Sequence, residues 1–314
     1  MLRSIVRKLL ELLLFILLLS FISFCLLKLL PGDPVRSILR VDDVAVSNVQ
    51  IEAMRTELGL NESLIVQYGI WLRQMLQLNL GDSYITSRPV ITEFIEKLPY
   101  TLMLTLGSLL VMLIIAIPFG TLSAIYANRW IDKLSRLFSL LGSAMPSFWL
   151  GLLLIQLFAV KLQILPPMGE GSILHLIIPS LTLGIAMSAV YVRMIRASLI
   201  ESAGQDFVAS ARARGIHPIR LFIFHTFRHS LVPLVTILSE SIGSLLGGTV
   251  VIEVLFAYPG LGQWVVNAIT ARDYPVIQGY TLLMSCFVIS INMAVEVSYR
   301  WINPQIARRG KLKS

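Results

Sequence analysis

Apolar residues are gathered into long runs separated by more polar stretches of unequal length. The runs cover roughly residues 9–30, 101–127, 136–161, 174–198, 231–257 and 276–299. A bilayer core takes about 20 apolar residues as a helix. The pattern therefore predicts an all-α membrane protein with six transmembrane helices. Several runs contain proline or glycine, among them Pro118, Gly120, Pro146, Pro179, Gly247 and Gly248. Such residues are tolerated in spans because neighbouring helices satisfy the freed backbone groups. The first run follows Arg3, Arg7 and Lys8 and ends in KLLPGDP, with no small-residue cleavage site. It reads as an uncleaved first span, not a signal peptide.

The intervening chain divides accordingly. Residues 1–30 form a basic start and the first span, and residues 31–100 a long polar segment. Residues 101–301 form a five-helix core with a loop at 199–230, followed by a basic tail at 302–314. Within 31–100, VQIEAMRTELGL and LIVQYGIWLRQMLQL repeat apolar residues at three and four, as surface helices do. They fit a small cap on the membrane face, either as a packing hairpin or as a docking element.

Composition sharpens this picture. Of the 314 residues, 56% are hydrophobic and 14% charged, too few charges to coat a soluble protein of this size. The net charge of +8 would suit nucleic acid, but its placement argues otherwise. Seventeen of the 26 lysines and arginines fall on the side that holds both termini and the 199–230 loop. The positive-inside rule then puts the termini and that loop in the cytoplasm, and residues 31–100 outside. Charge is thus accounted for by topology, and a nucleic-acid partner is not expected.

The loop itself is patterned. DFVASARARGIHPIRLFIFHTFRHSLVP, residues 206–233, carries four arginines and three histidines. Asp206 suits a helix N-terminus, and VASARA has good helix propensity. Arg212 and Arg214 fall in the last turn, and Gly215 stands where a left-handed residue ends a helix. His217 and Pro218 restart the chain into an amphipathic piece, IRLFIFHTFRHSL. Small residues, including Ala209 and Ala211, would let another surface approach closely. Spacing alone fits a docking element and a plain basic loop equally well.

No catalytic machinery is legible. The chain has no G-x-x-x-x-G-K-[ST] to cradle ATP phosphates, no G-x-S-x-G, no H-E-x-x-H and no C-x-x-C. Cys25 and Cys286 lie in apolar runs and read as buried small hydrophobes. A transporter without a motor borrows one or uses an ion gradient, and a docking loop favours borrowing. Ionisable residues within spans are costly, which singles out Glu240, beside Ser241. It reads either as a path residue facing a cationic substrate or as a hydrogen-bonded structural carboxylate. Met145 is a further path candidate, although methionine in membrane helices is usually packing. Glu253 reads as a structural carboxylate that orders the outer loop.

These residues resemble the integral-membrane permeases of ABC importers, in the dipeptide/oligopeptide/nickel branch. DFVASARARG followed by HTFRHSLVP is similar to that family's coupling segment, with Phe207 in place of the usual tyrosine and His229 in place of asparagine. LGLNESLIVQYGIWL (58–72), LNLGDSYITSRPV (78–90), LPYTL (98–102), SAMPSFWLG (143–151), LPPMG (165–169), GGTVVIEVLFAYPGLG (247–262) and RDYPVIQ (272–278) extend the match along essentially the whole chain.

The resemblance implies a type I ABC importer permease fold in the bacterial inner membrane. It implies a second homologous permease that completes the substrate path, two cytoplasmic ABC ATPases, an extracytoplasmic substrate-binding protein, and membrane lipid around the permeases. It implies that the chain is not itself an enzyme and binds no cofactor, ATP and Mg being held by the ATPases. Asp206, Ala209, Ala211, Arg212, Gly215, His225 and Arg228 become the expected coupling residues. SRPV, LPPMGEG and RDYPVIQ are closer to the nickel-import permeases, so the expected cargo is nickel or a nickel–metallophore complex, with dipeptides and oligopeptides as the alternative. An ion-coupled secondary transporter is a more remote reading, since the two halves show no repeat.

Overall fold

The structure is a computed structural model. It describes residues 17–25, 34–39, 46–227, 229–230, 245 and 247–302. Among these the architecture is helical: α1 (Asn48–Glu57), α2 (Leu64–Leu76), α3 (Val90–Ile125), α4 (Trp130–Ala144), α5 (Ser147–Leu154), α6 (Leu174–Ala203), α7 (Asp206–Ala213), α8 (Leu261–Ala271) and α9 (Tyr274–Ile302). The chain separates into two compact units. One comprises residues 1–99 and 263–289, the other residues 100–262 and 290–314.

Three of these helices, α3, α6 and α9, are long and apolar enough to cross a membrane, or four spans if the bent pair α4–α5 counts as one. The expected first and fifth spans fall largely outside the described residues. The expected third span, 136–161, is not straight. Its two arms meet at 103° around Met145 and Pro146. Proline lacks the N–H that would continue the ladder and drives the preceding residue to extended geometry. Met145 accordingly has ψ 126°, and its N–H bonds Leu141 O at 3.1 Å to close α4. The second arm ends as a π-helical stretch, Ile155–Lys161. Pro179 lies inside α6 without ending it.

The second unit builds its core around α6. One layer joins Leu104, Ile155, Ile178, Leu183, Ile252 and Phe256. Another joins Met112, Ala116, Tyr191, Val192, Ile195 and Leu199. Glycines let the backbones approach closely, as in membrane helix pairs. A Cβ on Gly184 would lie 2.5 Å from Val111 Cβ. The opposite face of α3 leaves Met103, Leu106, Leu110 and Ile114 exposed, an apolar stripe at helical spacing that suits lipid or another helix.

Two fully buried carboxylates pin this unit. Asp132 accepts from Arg196 Nε at 2.6 Å and Nη2 at 2.9 Å, from Ser123 Oγ at 2.6 Å and from the Asn128 N–H at 2.8 Å. Arg136 adds an ion pair at 3.1 Å. Glu253 accepts from Thr101 Oγ at 2.7 Å and the Gly262 N–H at 2.6 Å, while Thr101 Oγ accepts from the Leu261 N–H at 2.8 Å. This is the loop-ordering role expected of Glu253. The glycines of YPGLG follow from it, since a Cβ on Gly260 would overlap that carboxylate.

The first unit uses the same device. The two expected surface helices form, and α1 begins with a capping box between Ser47 and Gln50. Ser83 Oγ donates to Asp273 at 2.5 Å, and the Tyr84 N–H reaches the same carboxylate at 3.1 Å. Burial first, and then the Asp273 charge, push the Tyr84 hydroxyl up to about 12, so it stays protonated. Trp264 Nε1 donates to the buried Glu93 at 2.9 Å.

Removing one partner of a buried ion pair costs roughly 3–5 kcal/mol, because the other is left uncompensated. Asp132→Ala is therefore expected to lower the thermal midpoint of the detergent-solubilised protein markedly. Asp132→Ala/Arg196→Ala should recover part of the loss. Equal midpoints for the single and double variants would mean that the pair carries no such weight.

Candidate functional site

The site is the segment that follows α6. Gly204 caps that helix, and Gln205 turns extended, with φ −73° and ψ 148°. Asp206 opens α7 with its carboxylate in the first turn, where exposed N–H groups favour an anion. Val208 and Ala211 point inward against Leu221 and the half-buried Ile216, a small core of the segment's own. Asp206, Ala209, Ser210, Arg212, Ala213 and Arg214 point outward and are exposed.

The helix ends as its sequence predicts. Gly215 takes φ +78°, and its N–H bonds Arg212 O at 3.0 Å. Nothing surrounds the place its Cβ would occupy, so backbone conformation alone selects glycine here. Beyond it, the expected amphipathic helix is not a uniform one. A single α-turn, Pro218–Leu221, passes into a π-helical stretch, Phe222–Phe227.

An open cleft of about 500 Å³ lies between these pieces, lined by Phe207, Ala211, Arg214, Phe224, His225 and His229. The Phe207 and His229 rings stand 5.1 Å apart, and His229 Nδ1 lies 3.1 Å from Ser202 Oγ at the end of α6. The two positions at which the chain departs from the resembled family thus pack on each other. A second, more apolar cavity of about 570 Å³ lies beneath α7, between Ala124, Leu199, Val208 and Phe222, with Arg212 at its wall.

Six of the residues expected to couple are therefore gathered in one segment. Asp206, Ala209, Arg212 and Gly215 lie on its surface, His225 is half-buried in the cleft, and Ala211 is buried. Ala211 corrects the idea of a wholly small-residue outer face. It closes the segment's core from within. Arg228 lies outside the described residues, as do the path candidates Glu240 and Ser241. Met145 is half-buried at the α4–α5 bend. Among the described residues no cluster of three or more His, Cys, Asp or Glu is placed to hold a metal.

Sequence reasoning missed the Asp132–Arg196 pair, having counted Arg196 and Arg136 only toward topology. The signal was present: Asp132 is an acid among the cations of RWIDKLSR. It also missed the Glu93–Trp264 and Asp273–Ser83 pins, whose partners are distant in sequence.

Comparison with known proteins places the chain. Residues 116–308 match the family model of the binding-protein-dependent transport system inner membrane component, and residues 1–105 match the N-terminal model of the same membrane components. The glutathione transport system permease protein GsiC of Escherichia coli (strain K12) is 39% identical over 307 residues, covering 98% of this chain and 99% of that protein. Its counterpart in Salmonella paratyphi A is 38% identical over the same length. Among solved structures, a chain of the MetNI methionine ABC transporter in an inward-facing conformation matches with a TM-score of 0.58 at 18% identity, over 69% of this chain and all of that one. A chain of an amino acid ABC transporter matches at 0.55 and 15%, over 67% of this chain and 94% of that one. These likenesses establish the fold, a type I ABC importer permease. The chain belongs to the binding-protein-dependent transport system inner membrane components, as a multi-pass permease subunit of an ABC importer and not itself an enzyme.

Proposed function

We propose that the chain forms half of the transmembrane path of an importer for glutathione or similarly short peptides. The observation that carries this is the 39% identity, over almost the full length of both chains, to permeases named for glutathione transport. The expected preference for nickel gains no comparable support, and the comparisons favour the alternative, peptide branch. A second homologous permease completes the path in this reading, and an extracytoplasmic binding protein delivers the cargo.

Uptake of radiolabelled glutathione, a dipeptide and nickel, in cells with and without the gene, tests the cargo. Glutathione or dipeptide uptake should fall while nickel uptake stays unchanged. Loss of nickel uptake alone would overturn the peptide reading.

We also propose that α7 and its Gly215 turn dock on the ATPases. Asp206, Ala209 and Arg212 form the contact, His225 borders it, and Ala211 holds the helix from behind. The open space around Gly215, its left-handed φ and the exposed face of α7 support this assignment. A β-branched side chain at φ +78° costs at least about 1–2 kcal/mol and re-aims the turn. Gly215→Val should therefore reduce uptake at least tenfold while membrane insertion and expression persist. Normal uptake by that variant would remove the docking assignment.

The orientation is proposed from charge: termini and α7 inside, α1 and α2 outside. With Cys25 and Cys286 replaced by serine, Ser87→Cys should react with a membrane-impermeant maleimide in intact cells. Ser210→Cys should react only after permeabilisation. The reverse order would invert the topology.

A further inference from the structure

The first unit contains a cavity that neither the coupling segment nor the transport path accounts for. It measures about 390 Å³ and opens among α1, α2, the 80–84 turn and the start of α9. That is within the size range of small-molecule sites, roughly 300–1,000 Å³. Its chemistry is one-sided. Glu57 and Asp82 line it; among the described residues no lysine, arginine or histidine does, and neither carboxylate makes an ion pair. Trp71 and Tyr84 supply aromatic wall, and Trp71 is held by stacking on Tyr68 at 6.0 Å.

Gln278 gives an independent indication. It stands one turn after Tyr274 on the same face of α9, and both line the cavity. Gln278 is only 8% exposed, yet its amide has no hydrogen-bond partner among the described residues. The amide is not sealed from solvent, and at the cavity it lines a bound group can take the place of the water that would otherwise meet it.

We propose that this cavity binds a small primary amine in its ammonium form. An ammonium carries three donors and no acceptor. The two carboxylates and the Gln278 carbonyl are three acceptors on its lining, and Trp71 adds an indole to the same wall. Leu60 and Ile70 provide an apolar floor for a short carbon body. The site joins the segment read as extracytoplasmic to the start of α9, and its lining shares no residue with the α7 segment. It does not depend on what the importer carries.

The test uses the full chain, assembled with its importer partners in lipid nanodiscs, and calorimetric titration at pH 7.5. The probe is 2-phenylethylamine, with 2-phenylethanol as its uncharged counterpart. The amine should bind saturably and at least tenfold more tightly than the alcohol. Asp82→Asn and Glu57→Gln are surface changes that leave the fold intact, and each should weaken the amine about tenfold without affecting the alcohol, the loss expected for one charge-assisted hydrogen bond. Gln278→Leu should weaken it similarly. Glu62→Gln, an exposed acid outside the cavity, should change nothing. Absence of saturable binding, equal binding of the alcohol, or an equal effect of Glu62→Gln would overturn the proposal. So would weakened docking of the binding protein by Asp82→Asn with amine binding unchanged, since the acceptors would then be serving a protein lysine.

Discussion

A carboxylate shut away from water among apolar helices must find all its partners within the protein. That constraint organises each unit of this chain. Apolar burial is non-directional and lets a helix rotate or slide against its neighbour. A buried acid does not, because its hydrogen bonds fix both distance and register. Asp132 ties α4 to a residue 64 positions away on α6. Glu253 reaches Thr101 across 152 positions, and Asp273 reaches Ser83 across 190. These pins, more than the leucine-rich faces, choose one packing among the many that apolar helices permit.

The segment that follows α6 is built on the opposite principle. Its own core is little more than Val208, Ala211 and Leu221. Most of α7 is exposed, and its end is set by the conformation of one glycine. Such a segment presents a small, regular surface without drawing on the core that defines the spans. It is joined to α6 through the short Gly204–Gln205 turn and through His229 against Ser202. That combination of a firm mounting and a bare face suits a contact that must engage a separate subunit.

Much of this was legible in the sequence, and the limits have physical causes. The apolar runs located α3, α6 and α9, because length and hydropathy are local properties. The caps and breakers of α7 were read correctly, because Asp206 and Gly215 act within one turn. The bend at Pro146 was tolerated as an ordinary membrane proline. Proline permits both a kinked and a broken span, and surrounding packing decides between them. Pro179, in unbroken α6, shows the other outcome. The pins at Glu93 and Asp273 were invisible because each depends on a partner brought close only by folding, and at Asp132 the charge pattern marked the acid but not its partner on α6. The cargo is a different matter. Short shared motifs pointed toward nickel, while identity over the whole chain favours the peptide alternative that the same sequence left open.

The position of the Asp132–Arg196 pair has a mechanical consequence. Arg196 stands seven residues before the end of α6, about 10 Å of helix from Ala203. Sliding α4 past α6 would strand a carboxylate and a guanidinium in an apolar layer, so the two helices travel together near that end. In the proposed docking, a load arriving through α7 would thus be shared between two shafts from about two turns into α6. The α4 shaft stops at Met145 and resumes at a right angle, and a broken ladder is the softest joint available to a helix. A load that α6 would carry along its unbroken length, α4 would deliver to that joint.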